Sequence, residues 1–316
     1  MNQSAGRREF LKYAAAVTAG TGLLTTTGLS QEERKKKGGR KKRAAGAETQ
    51  AQDPGAKLLK AVQFGMLPEG LSNADKCALA KKCGFEGIEL NGPIADLAAA
   101  KELGEQARQA GVPIHSIVNG WGGPLSDPKP ENVEKGIASM ETSLRCAKAC
   151  GADVVLLVPG VVTETVRYAE AWERSQKNIR KLLPLARELQ VTIAVENVWN
   201  EFLLSPVEFA RYVDEFKDPW LRAYIDVGNM ILFGFAQDWL RTLGKRIVRI
   251  HLKDFKRDGS RWTNLLDGDV NWPQVRQALA EIGFKSYMTT ELPAGDEAYL
   301  TDLAGRIDKI IAMKPA

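Results

Sequence analysis

Eight short runs of apolar and β-favouring residues recur along this chain, each followed by a longer segment with helical spacing. The runs cover 61–66, 87–90, 114–118, 154–158, 192–195, 223–225, 247–250 and 287–290. The segments that follow them are 75–82, 95–110, 133–149, 164–189, 206–216, 238–243, 272–282 and 297–313. Such alternation predicts parallel strands joined by helical crossovers, and runs that stay apolar rather than alternate predict strands covered on both faces. Eight repeats over about 255 residues match one (β/α)8 barrel. An open doubly wound sheet is the competing arrangement, but no G-x-G-x-x-G follows the first run.

The barrel is expected over residues 58–316, behind two segments of different character. In residues 1–30, Gly6-Arg7-Arg8-Glu9-Phe10-Leu11-Lys12 resembles a twin-arginine export signal, and the uncharged Ala/Thr/Gly-rich stretch after it is a poor membrane span. Such a signal implies the twin-arginine export machinery as a partner and a periplasmic or membrane-anchored location. Ala45-Gly46-Ala47 is an acceptable cleavage site, although it lies far beyond the apolar stretch. Residues 31–57 begin QEERKKKGGRKKRAAG and have almost nothing to bury, which reads as a disordered basic linker. The linker also offers weak attachment to an anionic membrane surface.

Charge is distributed accordingly. Residues 1–30 carry three basic and one acidic side chain, and residues 31–46 carry eight and two, so a chain of net charge +5 leaves −3 for residues 47–316. A mildly acidic globular part argues against a nucleic-acid partner. The cysteines, Cys77, Cys83, Cys146 and Cys150, fall in helical segments without a C-x-x-C pair and read as small buried residues.

Chemistry in a barrel of this kind sits at the C-terminal ends of its strands. Three runs end there on a carboxylate: Glu196, Asp226 and Glu291. A fourth ends on His251, one of two histidines in 316 residues. A carboxylate directly behind apolar strand residues is costly to bury unpaired. A salt bridge to a barrel lysine or arginine would satisfy any one of them alone, but four on successive runs point to one shared cation. Three carboxylates and an imidazole suit a single divalent ion, Mn²⁺, Mg²⁺, Co²⁺ or Zn²⁺. Other polar residues at strand ends are Glu89, His115, Lys253 and Asp254, with Trp121 and Trp199 beyond the third and fifth runs. Glu89 and His115 are expected to line the pocket as hydrogen-bonding groups, although a structural role explains His115 equally well. Lys253 and Asp254 either orient His251 or the substrate, or form a strand-end ion pair. The two tryptophans either stack on a sugar face or pack the rim.

The stretches VENVWN (195–200), YIDVGN (224–229), IHLKDF (250–255), LLDGDVNWPQV (265–275) and TTEL (289–292) resemble the xylose-isomerase-like TIM-barrel superfamily, the sugar phosphate isomerase/epimerase group. The resemblance implies that Glu196, Asp226, His251 and Glu291 hold one divalent ion, and that Arg257, six residues past the histidine, lies near the substrate oxygens. It also implies a metal-dependent isomerase or epimerase of a small sugar, acting on an α-hydroxyketone through an enediolate. In that chemistry Glu196 and Glu291 remove and return the proton. Ketose 3-epimerases of the tagatose/psicose type carry a histidine three residues after the strand-6 aspartate; here Asn229 takes that substrate-facing place, a form closer to the pentulose-phosphate 3-epimerases.

Three alternatives stand beside this reading. A lyase or hydratase acting on a keto-sugar would begin with the same proton abstraction. A non-catalytic sugar-binding barrel would not need two carboxylates placed for proton transfer. An apurinic endonuclease of the same fold binds three zinc ions through several histidines, and this chain has two.

Overall fold

The computed structural model describes residues 57–314; the export-like segment 1–30 and the linker as far as residue 56 lie outside them. In chain order the strands are β1 (Leu59–Gln63), β2 (Gly87–Leu90), β3 (Ile114–Gly120), β4 (Val154–Leu157), β5 (Thr192–Glu196), β6 (Leu221–Asp226), β7 (Ile247–Leu252), β8 (Asp254–Lys256), β9 (Arg261–Thr263) and β10 (Tyr287–Thr290). Eight of them close into a parallel barrel in the order β1-β10-β7-β6-β5-β4-β3-β2. The other two, β8 and β9, form an antiparallel hairpin after β7. The helices are α1 (Asn73–Lys82), α2 (Leu97–Gln109), α3 (Pro130–Cys150), α4 (Tyr168–Leu189), α5 (Pro206–Asp214), α6 (Ala236–Leu243), α7 (Trp272–Glu281) and α8 (Glu297–Ala312). No helix among the described residues is long and apolar enough to cross a membrane.

Helix starts follow local chemistry. Ser72, Asp96, Ser205, Asn271 and Asp296 each accept a hydrogen bond from a first-turn backbone N–H, which satisfies donors the helix itself leaves free. Pro130 and Pro206 open α3 and α5, where a missing N–H does no harm. Most boundaries shift by one to four residues from the sequence expectation, and two of the shifts have a visible local cause. The first run ends in a 3₁₀ turn, Phe64–Met66, so β1 begins and ends earlier. Helix α4 starts at Tyr168 rather than near 164, because Thr163 and Val166 pair across a tight turn. The hairpin was not expected, since three-residue strands carry no readable periodicity.

Outward-facing strand residues such as Ile88, Ile117, Val155, Ile193, Ile225 and Ile250 pack under the helices in one large core. All four cysteines are buried in it as free thiols. The barrel interior differs from the apolar filling expected of strands buried on both faces. Val154, Leu156, Ala194 and Tyr224 form a small cluster there, and Leu59, Ala61 and Tyr287 form another. The rest is polar. Contacts between strands that are not neighbours can only cross the lumen. Arg249 on β7 donates from Nε to His115 Nδ1 on β3 at 3.1 Å, and the His115 ring stacks on Tyr287 of β10 at 4.1 Å. Arg249 also reaches Ser286 Oγ at 2.8 Å and pairs with Asp153.

Helices α2 and α3 approach so closely that a Cβ built on Gly104 would lie 2.6 Å from Cys150 Cα. Backbone cannot retreat as a side-chain tip can. The variant Gly104→Ala should therefore lose about 1–3 kcal/mol of stability, read as a lower denaturation midpoint in urea at unchanged slope.

Candidate metal centre

Strands β5, β6, β7 and β10 are consecutive around the barrel. Glu196 and Asp226 are the last residues of β5 and β6, His251 is next to last on β7, and Glu291 directly follows β10. The pairing Asp226↔His251 and His251↔Thr289 fixes their relative height. One donor atom from each of the four residues lies within 4.8 Å of the others. His251 Nδ1 is 2.8 Å from Glu196 Oε1 and 2.9 Å from Glu291 Oε2, so the two glutamates converge on one ring nitrogen.

Each member is held from behind. The far nitrogen of the ring, His251 Nε2, is 2.6 Å from Glu89 Oε1, and Glu89 also accepts from Ser116 Oγ at 2.5 Å, Tyr224 OH at 2.6 Å and Gln63 Nε2 at 3.1 Å. Asp226 Oδ1 accepts from the backbone N–H groups of Gly228 and Asn229 at 2.7 and 2.9 Å, which leaves Oδ2 directed at the cluster. Asn197 clamps the Asp226 backbone from both sides, accepting from its N–H at 2.9 Å and donating to its C=O at 3.0 Å. Asn229 Nδ2 closes the brace by donating to Asn197 O at 2.8 Å.

The charge balance is unusual for so dry a site. Burial alone would push His251 down, but Tyr224 and the carboxylates of Glu89, Glu291 and Glu196 hold it well above its ordinary range. Burial likewise raises Glu89, yet His251, His115 and the Ser116 hydroxyl outweigh it and hold Glu89 at about 2. Glu196 goes the other way, raised by burial and by Glu291 to about 7 against the pull of His251. Lys253 Nζ sits 3.2 Å from Asp226 Oδ2 and 2.7 Å from Glu291 Oε2, and these acids raise its pKa despite burial. Asp226 Oδ2 and Glu291 Oε2 are nevertheless buried without an aligned hydrogen bond. Three carboxylates and an imidazole gathered at one buried point, two of whose oxygens lie beside the Lys253 ammonium without an aligned hydrogen bond, fit a divalent cation with an O₃N donor set.

The remaining residues singled out in the sequence are placed as follows. Glu89 and His115 lie inside the barrel, at 0% and 3% exposure, beneath the cluster rather than along an open pocket. Burial and the Arg249 charge hold His115 well below its ordinary range. Its Nδ1 accepts from Arg249, so Nε2 carries the hydrogen and donates to Thr289 Oγ1 at 3.0 Å. Asn229 braces β5 against β6. Arg257 turns away, donating to Ile231 O at 2.7 Å and Gly234 O at 3.0 Å and covering the Phe235 ring at 5.2 Å. Asp254 fastens the following loop, accepting from the N–H groups of Phe255, Leu266 and Val270 and from Trp272 Nε1. Trp199 stacks on Trp262 and donates from Nε1 to Asn229 O at 2.8 Å. Trp121 stands 62% exposed in the loop after β3. Sequence reasoning missed Tyr224, although its i, i+2 spacing to Asp226 puts both on one strand face. It also missed Gln63, Asn197 and Trp262. A cavity of about 730 Å³ bordered by Lys60, Lys81, Glu86, Arg276 and Asp308 lies at the opposite, N-terminal end of the strands, and its charge is partly offset by the Lys60–Asp308 and Lys57–Glu86 pairs.

The family described as xylose isomerase-like TIM barrel matches residues 77–310. The chain belongs to that family. Among relatives of this xylose isomerase-like barrel, a putative L-ribulose-5-phosphate 3-epimerase, SgbU of Haemophilus influenzae, is 27% identical over 200 residues, covering 60% of this chain and 70% of the relative. The L-ribulose-5-phosphate 3-epimerase UlaE of Salmonella paratyphi A is 23% identical over 255 residues, covering 75% and 90%. The barrel superposes on the apo 3-keto-D-glucoside 4-epimerase YcjR of E. coli with a TM-score of 0.69 at 16% identity, covering 80% of this chain and 99% of that one. For the D-psicose 3-epimerase of Clostridium cellulolyticum H10 the TM-score is 0.69 at 16% identity, covering 81% and 99%. At that identity the two structures speak for the fold alone.

Protein loaded with Mn²⁺ and freed of excess ion should carry close to one ion per chain by elemental analysis, and Asp226→Ala or His251→Ala should carry almost none. Glu89→Gln removes the partner that orients the ring and should weaken metal affinity by about 10- to 100-fold, measured by titration against a competing chelator.

Proposed function

We propose that the barrel is a divalent-metal-dependent sugar isomerase or epimerase that acts on a ketose or related α-hydroxyketone by proton transfer through an enediolate. The observation that carries the reading is the convergence of Glu196 and Glu291 on His251 Nδ1, at 2.8 and 2.9 Å, from opposite ends of the four-strand arc. Glu196, Asp226, His251 and Glu291 would hold the cation, which would stabilise charge at the substrate carbonyl and adjacent hydroxyl and so acidify the C–H between them. One glutamate takes that proton at a carboxylate oxygen and the other returns one from the far side, which inverts the carbon; return to the neighbouring carbon interconverts aldose and ketose. Lys253 adds a fixed positive charge beside Glu291, while Glu89 and Tyr224 keep the imidazole from turning. The relatives named as 3-epimerases support the same reaction class.

The three-zinc nuclease reading loses support here. His115 is enclosed in the lumen, His251 is the one histidine at the strand ends, and one group of metal-ligating side chains is found among the described residues.

Incubation with substrate in D₂O should place deuterium on the inverted or isomerised carbon. Glu196→Gln and Glu291→Gln should each lower kcat by about 10²- to 10⁴-fold while the ion stays bound; product free of deuterium would overturn the proton-transfer mechanism. We further infer from Arg7-Arg8 that the protein is exported. Replacing both arginines by lysine should leave it in the cytoplasmic fraction, and unchanged export would defeat that reading.

A further inference from the structure

Beside the ligand cluster, Trp199 and Trp262 stack with centroids 5.1 Å apart and planes 27° from parallel, yet keep 45% and 43% of their surfaces exposed. The pair is built rigidly. Buried Phe255 meets both edge-on, at 5.6 Å and 5.1 Å. Trp199 is tied through Nε1 to Asn229 O, and Trp262 is fixed by the hairpin register Phe255↔Trp262. Two large indoles held half bare have a face left to use. They also lie close to the chemistry. Lys253 Nζ is 5.4 Å from the Trp262 centroid and 2.7 Å from Glu291 Oε2, so the aromatic face begins one ammonium group beyond the proposed ligands.

We infer that this pair is a binding subsite for a second sugar ring, so that the substrate is a glycoside or disaccharide whose keto unit sits at the metal centre. The inference rests on the isomerase reading for what happens at that unit. A group stacked on the pair is joined to the reacting ring and is not part of it, because Lys253 stands between. The flat apolar face accepts the C–H side of a pyranose. A phosphate in the same place finds little. Lys253, the cation beside the pair, is committed to Asp226 and Glu291, and on the hairpin Arg261 donates to Asp258 O while Lys256 lies 3.8 Å from Asp269.

The test uses the full-length, Mn²⁺-loaded protein, with tryptophan fluorescence and calorimetry as readouts. The probes are gluco-, galacto- and manno-configured disaccharides, their monosaccharides, the corresponding 6-phosphates and phenyl glycosides. At least one disaccharide should bind about tenfold tighter than its own monosaccharide, the scale of one good aromatic contact. Trp262→Ala should abolish that preference, while Trp262→Phe, which keeps a stacking face and the hairpin register, should retain most of it. A 6-phosphate or a phenyl glycoside binding tightest, no disaccharide preference in any series, or a preference that survives Trp262→Ala would each overturn the subsite. If the preference is present but substrate takes up no deuterium, the isomerase reading falls and the subsite stands. If deuterium is taken up without the preference, the subsite alone falls.

Discussion

The structure depends on the hydrogen bond between His251 Nε2 and Glu89 Oε1. It joins the C-terminal end of β7 to the interior of β2 across the barrel, and it decides which nitrogen faces Glu196 and Glu291. Glu89 can serve as this anchor because four donors satisfy it: the ring, Ser116, Tyr224 and Gln63. A buried carboxylate with fewer partners would cost several kcal/mol and would tend to take up a proton instead. The polar lumen is thus the support of the ligand site, and the ordinary apolar filling of a barrel would leave His251 free to turn.

A second support works through the backbone. Asn197 and Asn229 follow Glu196 and Asp226 by one and three residues; Asn197 bonds to the backbone of Asp226, and Asn229 bonds to that of Asn197. Placing Asp226 therefore also places Glu196. Two of the sequence stretches that mark the family are in this sense one structural unit, split between β5 and β6. The third, IHLKDF, couples the centre to the rim: His251 faces the ligands, Lys253 bridges Asp226 and Glu291, and Asp254 and Phe255 hold the loop and the tryptophan pair.

Much of this was readable in the sequence. Eight apolar runs gave the barrel, since tightly alternating short strands and helices have few other ways to bury both faces. Carboxylates and a histidine at run ends pointed to the four side chains that come together at the strand ends, because a charge directly behind apolar strand residues is conspicuous. What stayed hidden was lateral. Nothing near Glu89 in sequence shows that it faces His251, 162 positions away, and nothing about Arg257 shows its side chain folding onto the carbonyls of 231–234. Register and the course of loops decide such contacts, and neither is written in local periodicity. Tyr224 shows the same limit inside a strand, where an aromatic in an apolar run passes for filler until its hydroxyl is seen to meet a carboxylate.

Asp254 carries a further consequence. A single buried carboxylate ties the start of the hairpin, the loop at 266–270 and the indole of Trp272 at the head of α7. Those pieces move together or not at all, so the β7 side of the mouth behaves as a fixed jamb. The loops following β1 to β4 on the facing rim lie outside this fastening, since every bond Asp254 makes is to residues 255–272.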